Sequence, residues 1–425
     1  MNVKIFITGI GFFSALGDLD SSWQSLLAGK SAIRLRQPFL ELKPRPLAMI
    51  GDRPTELLTL TQLVVESALK DAGLNPPLPD CGVVIGSSRS QQARWEQFVQ
   101  ESRGAEGQRG RGAEGQENFG RAGFVFNSSA VITDLSAKPA PTSENSPSPQ
   151  SPVPSPQFPW LESLPNMTAI CAARQIGATG AVLAPMAACA TGIWALAQGF
   201  ELIQTGQCQR AIAGAIEAPI TPLTLAGFQQ MGALAQTGAY PFDKQREGLV
   251  LGEGGAVFVL ETAELARERG AKVYAEVLGF GLTADAFHAN APEEGGKSAI
   301  YAVKQCLERS NLSPIDINYI HAHGTGTVLN DRNEAQLINY LFSENVAVSS
   351  TKGATGHTLG ASGVLGVAFS LLGLRDRILP PCVGLRESEF DLNLVRVARS
   401  SEIQNLLCFS FGFGGQNAVV ALGKT

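Results

Sequence analysis

Cys189 lies in Pro185-Met-Ala-Ala-Cys-Ala-Thr-Gly192, a run of small residues, and the apolar stretch Ile193 to Ile203 follows it. Small neighbours leave a substrate room to reach the sulfur, and a thiol at the start of a helix feels partial positive charge that favours the thiolate. Taken alone, a cysteine in such a run is as often a core residue as a nucleophile. Two histidine-bearing segments tip the balance. His321-Ala-His-Gly-Thr-Gly-Thr327 follows the strand-like 317–320. Thr351-Lys-Gly-Ala-Thr-Gly-His357-Thr-Leu-Gly-Ala-Ser-Gly363 follows the strand-like 346–350. Each places histidine in a Gly/Thr-rich loop at a strand exit, where α/β proteins assemble their sites. The chain has only 4 histidines, so three in such loops is informative, although any one alone would pass for a hydrogen-bonded structural residue. A fourth segment, Phe409-Ser-Phe-Gly-Phe-Gly-Gly415, offers glycines that let a backbone N–H approach a ligand as an oxyanion donor.

The elements that must position these groups read as a layered α/β protein, with short apolar runs alternating with amphipathic ones. Strands are expected over 3–8, 82–86, 210–214, 256–260, 319–322, 346–349, 406–410 and 418–422. Helices are expected over 61–72, ended by Gly73, over 298–309, and over 363–374. One stretch breaks the pattern. Gly-Ala-Glu-Gly-Gln occurs twice, at 104–108 and 112–116, and then gives way to Ser/Pro-rich sequence. About 104–157 is therefore expected to be a mostly disordered surface insertion, with a short ordered piece near 124–132.

Composition narrows the function classes. The 425 residues are 44% hydrophobic and 17% charged with net charge −5, so there is a large core and no basic footprint for nucleic acid. Seven scattered cysteines show neither a disulfide framework nor zinc-ligand spacing, which fits a reducing, cytoplasmic setting and no metal. The N-terminal apolar run lacks a signal-cleavage site and reads as a buried strand. Its glycines, Gly9, Gly11 and Gly17, do not make a GxGxxG dinucleotide loop. The uncharged 175–200 is interrupted by glycine and proline and reads as a buried strand–turn–helix, with no membrane span.

With these pieces assembled, the chain resembles the β-ketoacyl-[acyl-carrier-protein] synthases of the thiolase superfamily, in particular the elongating type. The resemblance rests on Thr8-Gly-Ile-Gly11, the Ala188-Cys-Ala block, Tyr240-Pro-Phe-Asp-Lys-Gln-Arg-Glu-Gly-Leu-Val-Leu-Gly-Glu-Gly254, both histidine segments and the closing Phe-Gly-Phe-Gly-Gly. It implies a five-layer α-β-α-β-α fold of two pseudo-repeated halves, 1–261 and 262–425. It implies that Cys189 carries the acyl group and that His323 and His357 polarise the malonyl carbonyl. Lys352 would organise the histidine, Thr325 and Thr327 would bind the pantetheine arm, and Phe413 would gate the nucleophile and lend its N–H. Acyl carrier protein is the implied partner and a homodimer the implied assembly, with no cofactor. The expected role is fatty acid biosynthesis; the alternatives are a polyketide or specialised-lipid ketosynthase and a weakly active chain-length-determining partner subunit.

Three positions depart from the family pattern. Gly366 stands where a glutamate is usual nine residues after the second motif histidine, His321 replaces a common Asn or Glu, and Gln416 replaces Thr. The missing carboxylate implies that the polar network around Lys352 is rebuilt.

Overall fold

A computed structural model of the chain describes residues 3–109 and 159–425. The strands that carry the fold are β1 (Ile5–Ser14), β2 (Cys81–Gly86), β3 (Val182–Leu183), β4 (Arg210–Glu217), β5 (Gly254–Thr262), β6 (Ala275–Ala284), β7 (Tyr319–His321), β8 (Ala347–Ser349), β9 (Asn405–Gly412) and β10 (Gln416–Gly423). They lie in the order β8-β7-β9-β10-β6-β1-β5-β4-β2-β3. Inward from β3 on one side and from β8, itself flanked by Asn393–Leu394, on the other, adding five to every label of the first half gives the second. The strand senses repeat as well. β3/β2 and β2/β4 are parallel, and β4/β5 and β5/β1 antiparallel. So too β8/β7 and β7/β9 are parallel, and β9/β10 and β10/β6 antiparallel. The halves meet where Ile5, Phe6 and Ile7 pair with Val277, Glu276 and Ala275.

The main helices are α1 (Leu57–Ala72), α2 (Gln92–Arg109), α3 (Met167–Ile176), α4 (Thr191–Gln204), α5 (Pro222–Gln230), α6 (Lys297–Arg309), α7 (Val328–Leu341) and α8 (Ser362–Asp376). Apolar residues of α1 recur at helical spacing, Glu56 caps its start by accepting from Thr59 N–H, and Gly73 ends it at φ 65°. Helices α1 and α3 cover the outer face of the first half through Val64, Ala68, Ala169 and Ile212. Helices α6 and α7 cover the second through Val303, Cys306, Leu337 and Ile338. Between the half-sheets lie α4 and α8, inside the largest core cluster. The result is the five-layer α-β-α-β-α arrangement. Because α8 meets protein on every side, each residue from Ser362 to Leu374 is buried and the helix is apolar all round. Among the described residues only this helix with its preceding turn is long and apolar enough to cross a membrane, and it is 89% buried in the fold.

The central helices approach closely through Gly192. A Cβ there would fall 2.8 Å from Val364 Cγ1 and 3.0 Å from the Gly360 carbonyl. This contact draws the turn before α4 and the turn before α8 together, and both turns carry chemistry.

Every expected strand and helix is present, several of them longer. Strand β6 is an addition: Gly279 and Gly281 interrupt its apolar pattern and hide it in the sequence. Residues 175–200 do break into helix, strand and helix, but the strand lies at the sheet edge and is exposed, which corrects the expected burial. The expected insertion is partly corrected, because α2 continues through residues 104–109 as helix. Its remainder, including 124–132, lies outside the described residues.

Candidate active site

The turn between β3 and α4 holds Cys189. Ala188 sits at φ 47°, a left-handed conformation costly for a residue with a Cβ. Thr191 holds the turn by donating Oγ1 to the Ala188 carbonyl (2.6 Å) and accepting from the Ala187 N–H (2.9 Å). Ser410 Oγ donates to the Cys189 carbonyl (2.8 Å) and ties the turn to β9. The sulfur is buried, and burial pushes its pKa up to about 11; the Lys352 charge and the Phe413 backbone N–H pull it down, and Glu217 pushes it up. The helix terminus is where the sequence implies, and burial opposes the thiolate that this terminus favours.

Cys189, His323 and His357 present sulfur and ring nitrogens within 4.8 Å of one another. The imidazoles meet edge to face, with centroids 5.4 Å apart and planes at 80°. His357 Nδ1 lies 2.6 Å from Ser362 Oγ at the start of α8. Lys352 Nζ lies 3.4 Å from His323 Nδ1 and donates to the His323 carbonyl. An ammonium only donates, so this contact makes Nδ1 the acceptor and leaves the ring proton of His323 on Nε2. Burial, reinforced by the Lys352 charge, holds both histidines well below their ordinary pKa, so they are neutral N–H donors. Cys189, His323, Thr325, Thr327, His357 and Phe413 all line one cavity. One thiol and two imidazoles are also donor types that zinc accepts, so an ion could compete for the same atoms.

Lys352 is not part of the cavity wall; it stands behind His323. Its charge is balanced by Glu334, which accepts from the N–H groups of His323 (2.5 Å) and Gly324 (2.7 Å). Burial pushes the lysine down and the glutamate up, and their attraction opposes both shifts. The departures at 321 and 366 are a single feature. A Cβ on Gly366 would fall 2.5 Å from both Cε1 and Nδ1 of His321, so the imidazole fills the space a glutamate would need. His321 Nε2 lies 3.2 Å from Thr351 Oγ1, and burial with the Lys352 charge pushes its pKa down to about 3. A neutral ring thus replaces a charge beside Lys352. Gln416 simply opens β10, paired with Ala284.

The structure brings every sequence-derived site residue to this cavity or, for Lys352, just behind it. Sequence reasoning missed Glu334, Ser362 and Glu217. Glu334 had a signal: it shares a helix face with Asn330, four residues before it, just after the histidine loop. Ser362 and Glu217 acquire meaning only through tertiary contacts.

Comparison with known proteins agrees with this geometry. Residues 125–266 match the family Beta-ketoacyl synthase, N-terminal domain, and residues 274–386 its C-terminal domain. A mitochondrial protein of Schizosaccharomyces pombe named as a 3-oxoacyl-[acyl-carrier-protein] synthase is 31% identical over 99% of both chains. 3-Oxoacyl-[acyl-carrier-protein] synthase 2 of Staphylococcus aureus is 37% identical over 61% of this chain and 66% of its own. Among solved structures, a type II polyketide ketosynthase in complex with its acyl-carrier protein superimposes over 100% of both chains with TM-score 0.83 at 24% identity. A β-ketoacyl synthase from Burkholderia phymatum does so with TM-score 0.81 at 24% identity.

Proposed function

Since the chain belongs to the β-ketoacyl synthase family of acyl-transferring condensing enzymes, we propose that it joins an acyl thioester to a malonyl unit by decarboxylative Claisen condensation. The observation that carries this reading is the cavity where the Cys189 sulfur, two neutral imidazoles and the Phe413 N–H converge. The Cys189 sulfur attacks the acyl thioester, and the carrier sulfur leaves as a thiol with the proton that Cys189 gives up. The malonyl thioester then loses CO2, and the electron pair of the broken bond becomes an enolate. The N–H groups of His323 and His357 stabilise its oxygen, a charge present only as the reaction proceeds. The enolate carbon attacks the acyl carbonyl on Cys189, and the N–H groups of Cys189 and Phe413 hold the oxyanion. Collapse expels the Cys189 sulfur, which takes a proton from solvent, and releases a 3-oxoacyl thioester. Thr325 and Thr327, whose hydroxyls lie 2.9 Å apart on the cavity wall, bind the pantetheine arm.

Acyl carrier protein is the donor in this scheme, the chain works as a homodimer in the cytoplasm, and its chemistry is the chain-extension step of fatty acid biosynthesis. The names of the relatives at 31% and 37% identity support that reaction. The weakly active partner-subunit alternative loses its main support, because His321 accounts for the absent carboxylate at 366.

The test incubates the protein with acyl- and malonyl-carrier protein and follows intact mass and peptide maps, with Cys189→Ala as control. An adduct on Cys189 that malonyl-carrier protein converts to a 3-oxoacyl product is expected. An adduct that is never discharged would overturn condensation.

A further inference from the structure

The loop leaving β2 supplies nothing to the scheme above, yet its backbone is firmly held. Glu217, buried at the end of β4, accepts from Ser87 Oγ (3.0 Å), from the Ser88 N–H, from the Arg89 N–H (3.4 Å) and from the Gly360 N–H (3.2 Å). One carboxylate thus ties this loop to the turn that carries His357. From that fixed backbone Arg89 lays its guanidinium over the ring of Phe228, with Cζ 5.5 Å from the centroid. Phe228 in turn packs on Phe413, with centroids 6.0 Å apart. Behind Phe413 lies an apolar cluster that includes Leu225, Phe228, Leu249 and Leu359. Such a cluster suits an alkyl chain. Arg89 does not.

The Arg89 Nε is buried and has no hydrogen-bond partner among the described residues. A buried donor without an acceptor is unfavourable, and a guanidinium in a fixed orientation matches an oxygen acceptor in its plane. The Arg89 charge also reaches the Cys189 sulfur, whose pKa it helps to lower. We propose that Arg89 is a specificity-determining residue: the acyl group carried on Cys189 bears an oxygen acceptor, carboxylate or ketone, that meets the guanidinium behind Phe413. A plain alkyl chain leaves that donor unanswered. The inference rests on Cys189 being the acylated residue.

The test uses the full chain and three carrier-protein thioesters of equal chain length: plain alkyl, ω-carboxylate and keto-substituted. Adduct formation on Cys189 is timed by intact mass for the wild type, Arg89→Met and Arg89→Lys. The wild type should take at least one oxygenated donor roughly 10- to 100-fold faster than the alkyl donor, the worth of a hydrogen bond to a charged group. Arg89→Met should bring that ratio to within about threefold of unity, and Arg89→Lys should retain part of it. Which oxygenated donor wins tells carboxylate from ketone. Wild-type loading by the alkyl chain as fast as by both oxygenated donors overturns the proposal, even where Arg89→Met fails to fold. No adduct from any donor fails differently, because it removes the reading of Cys189 and this inference with it.

Discussion

The loops that leave β2 and β7 occupy equivalent places in the repeated sheet, and each is held by a buried carboxylate. After β2, Glu217 accepts from Ser87, Ser88 and Arg89; after β7, Glu334 accepts from His323 and Gly324. The carboxylates do the same backbone work in different electrical settings. Glu217 is surrounded by N–H and hydroxyl donors, whereas Glu334 also balances the buried charge of Lys352. The exported side chains differ too, Arg89 from the first loop and His323 from the second. One architecture, used twice, thus supplies rigidity in both halves and leaves the chemistry to a few side chains.

The sharpest way to break the comparison is to separate the steps that the two halves serve. His323→Ala should leave acylation of Cys189 intact while slowing malonyl decarboxylation about 100- to 1,000-fold, measured as released CO2. Equal loss of both steps would mean that the second half also controls acylation. Next come the anchors. Glu334→Ala should cost roughly 3–5 kcal/mol in urea unfolding, because Lys352 is left as an unpaired buried charge. Glu217→Gln should cost less, about 1–3 kcal/mol, because it disturbs only hydrogen bonds. Reversal of that order would show that the two carboxylates are not distinguished by charge.

Gly366→Glu should destabilise the protein by at least ~1–3 kcal/mol, since the new side chain collides with His321. His321→Gly together with Gly366→Glu should recover part of that loss in the same assay. The smallest effect concerns pH. With the thiol pushed up to about 11, iodoacetamide alkylation of Cys189 should keep rising through pH 9 without a plateau. Lys352→Met should slow it further at any given pH, because removal of a nearby positive charge makes the thiolate less favourable.

Much of the site was legible because its residues announce themselves locally: a cysteine among small residues, and histidines in glycine-rich loops after apolar runs. The strands were legible for the same reason, as continuous apolar stretches between turns. What escaped depends on contacts between distant segments. Glu217 meets Gly360 across 143 positions, and the Gly366 departure explains itself only against the ring of His321. The burial that raises the Cys189 pKa was equally out of reach, being a property of the packed molecule.

The placing of β1 has a consequence for how the molecule is made. Beyond a short local pairing of Phe13 and Ser14 with Asp18 and Gly17, its hydrogen-bonding neighbours are β5 and β6, so about 240 residues of chain separate Ser14 from its partner Gly254. At ~5–20 residues per second, roughly 12 to 50 s of translation pass before that strand can be clad. During that interval most of both edges of this apolar strand stays open, and early folding falls to nearer neighbours such as α1, whose Val64, Ala68 and Ala72 abut Gly9 and Gly11 of β1.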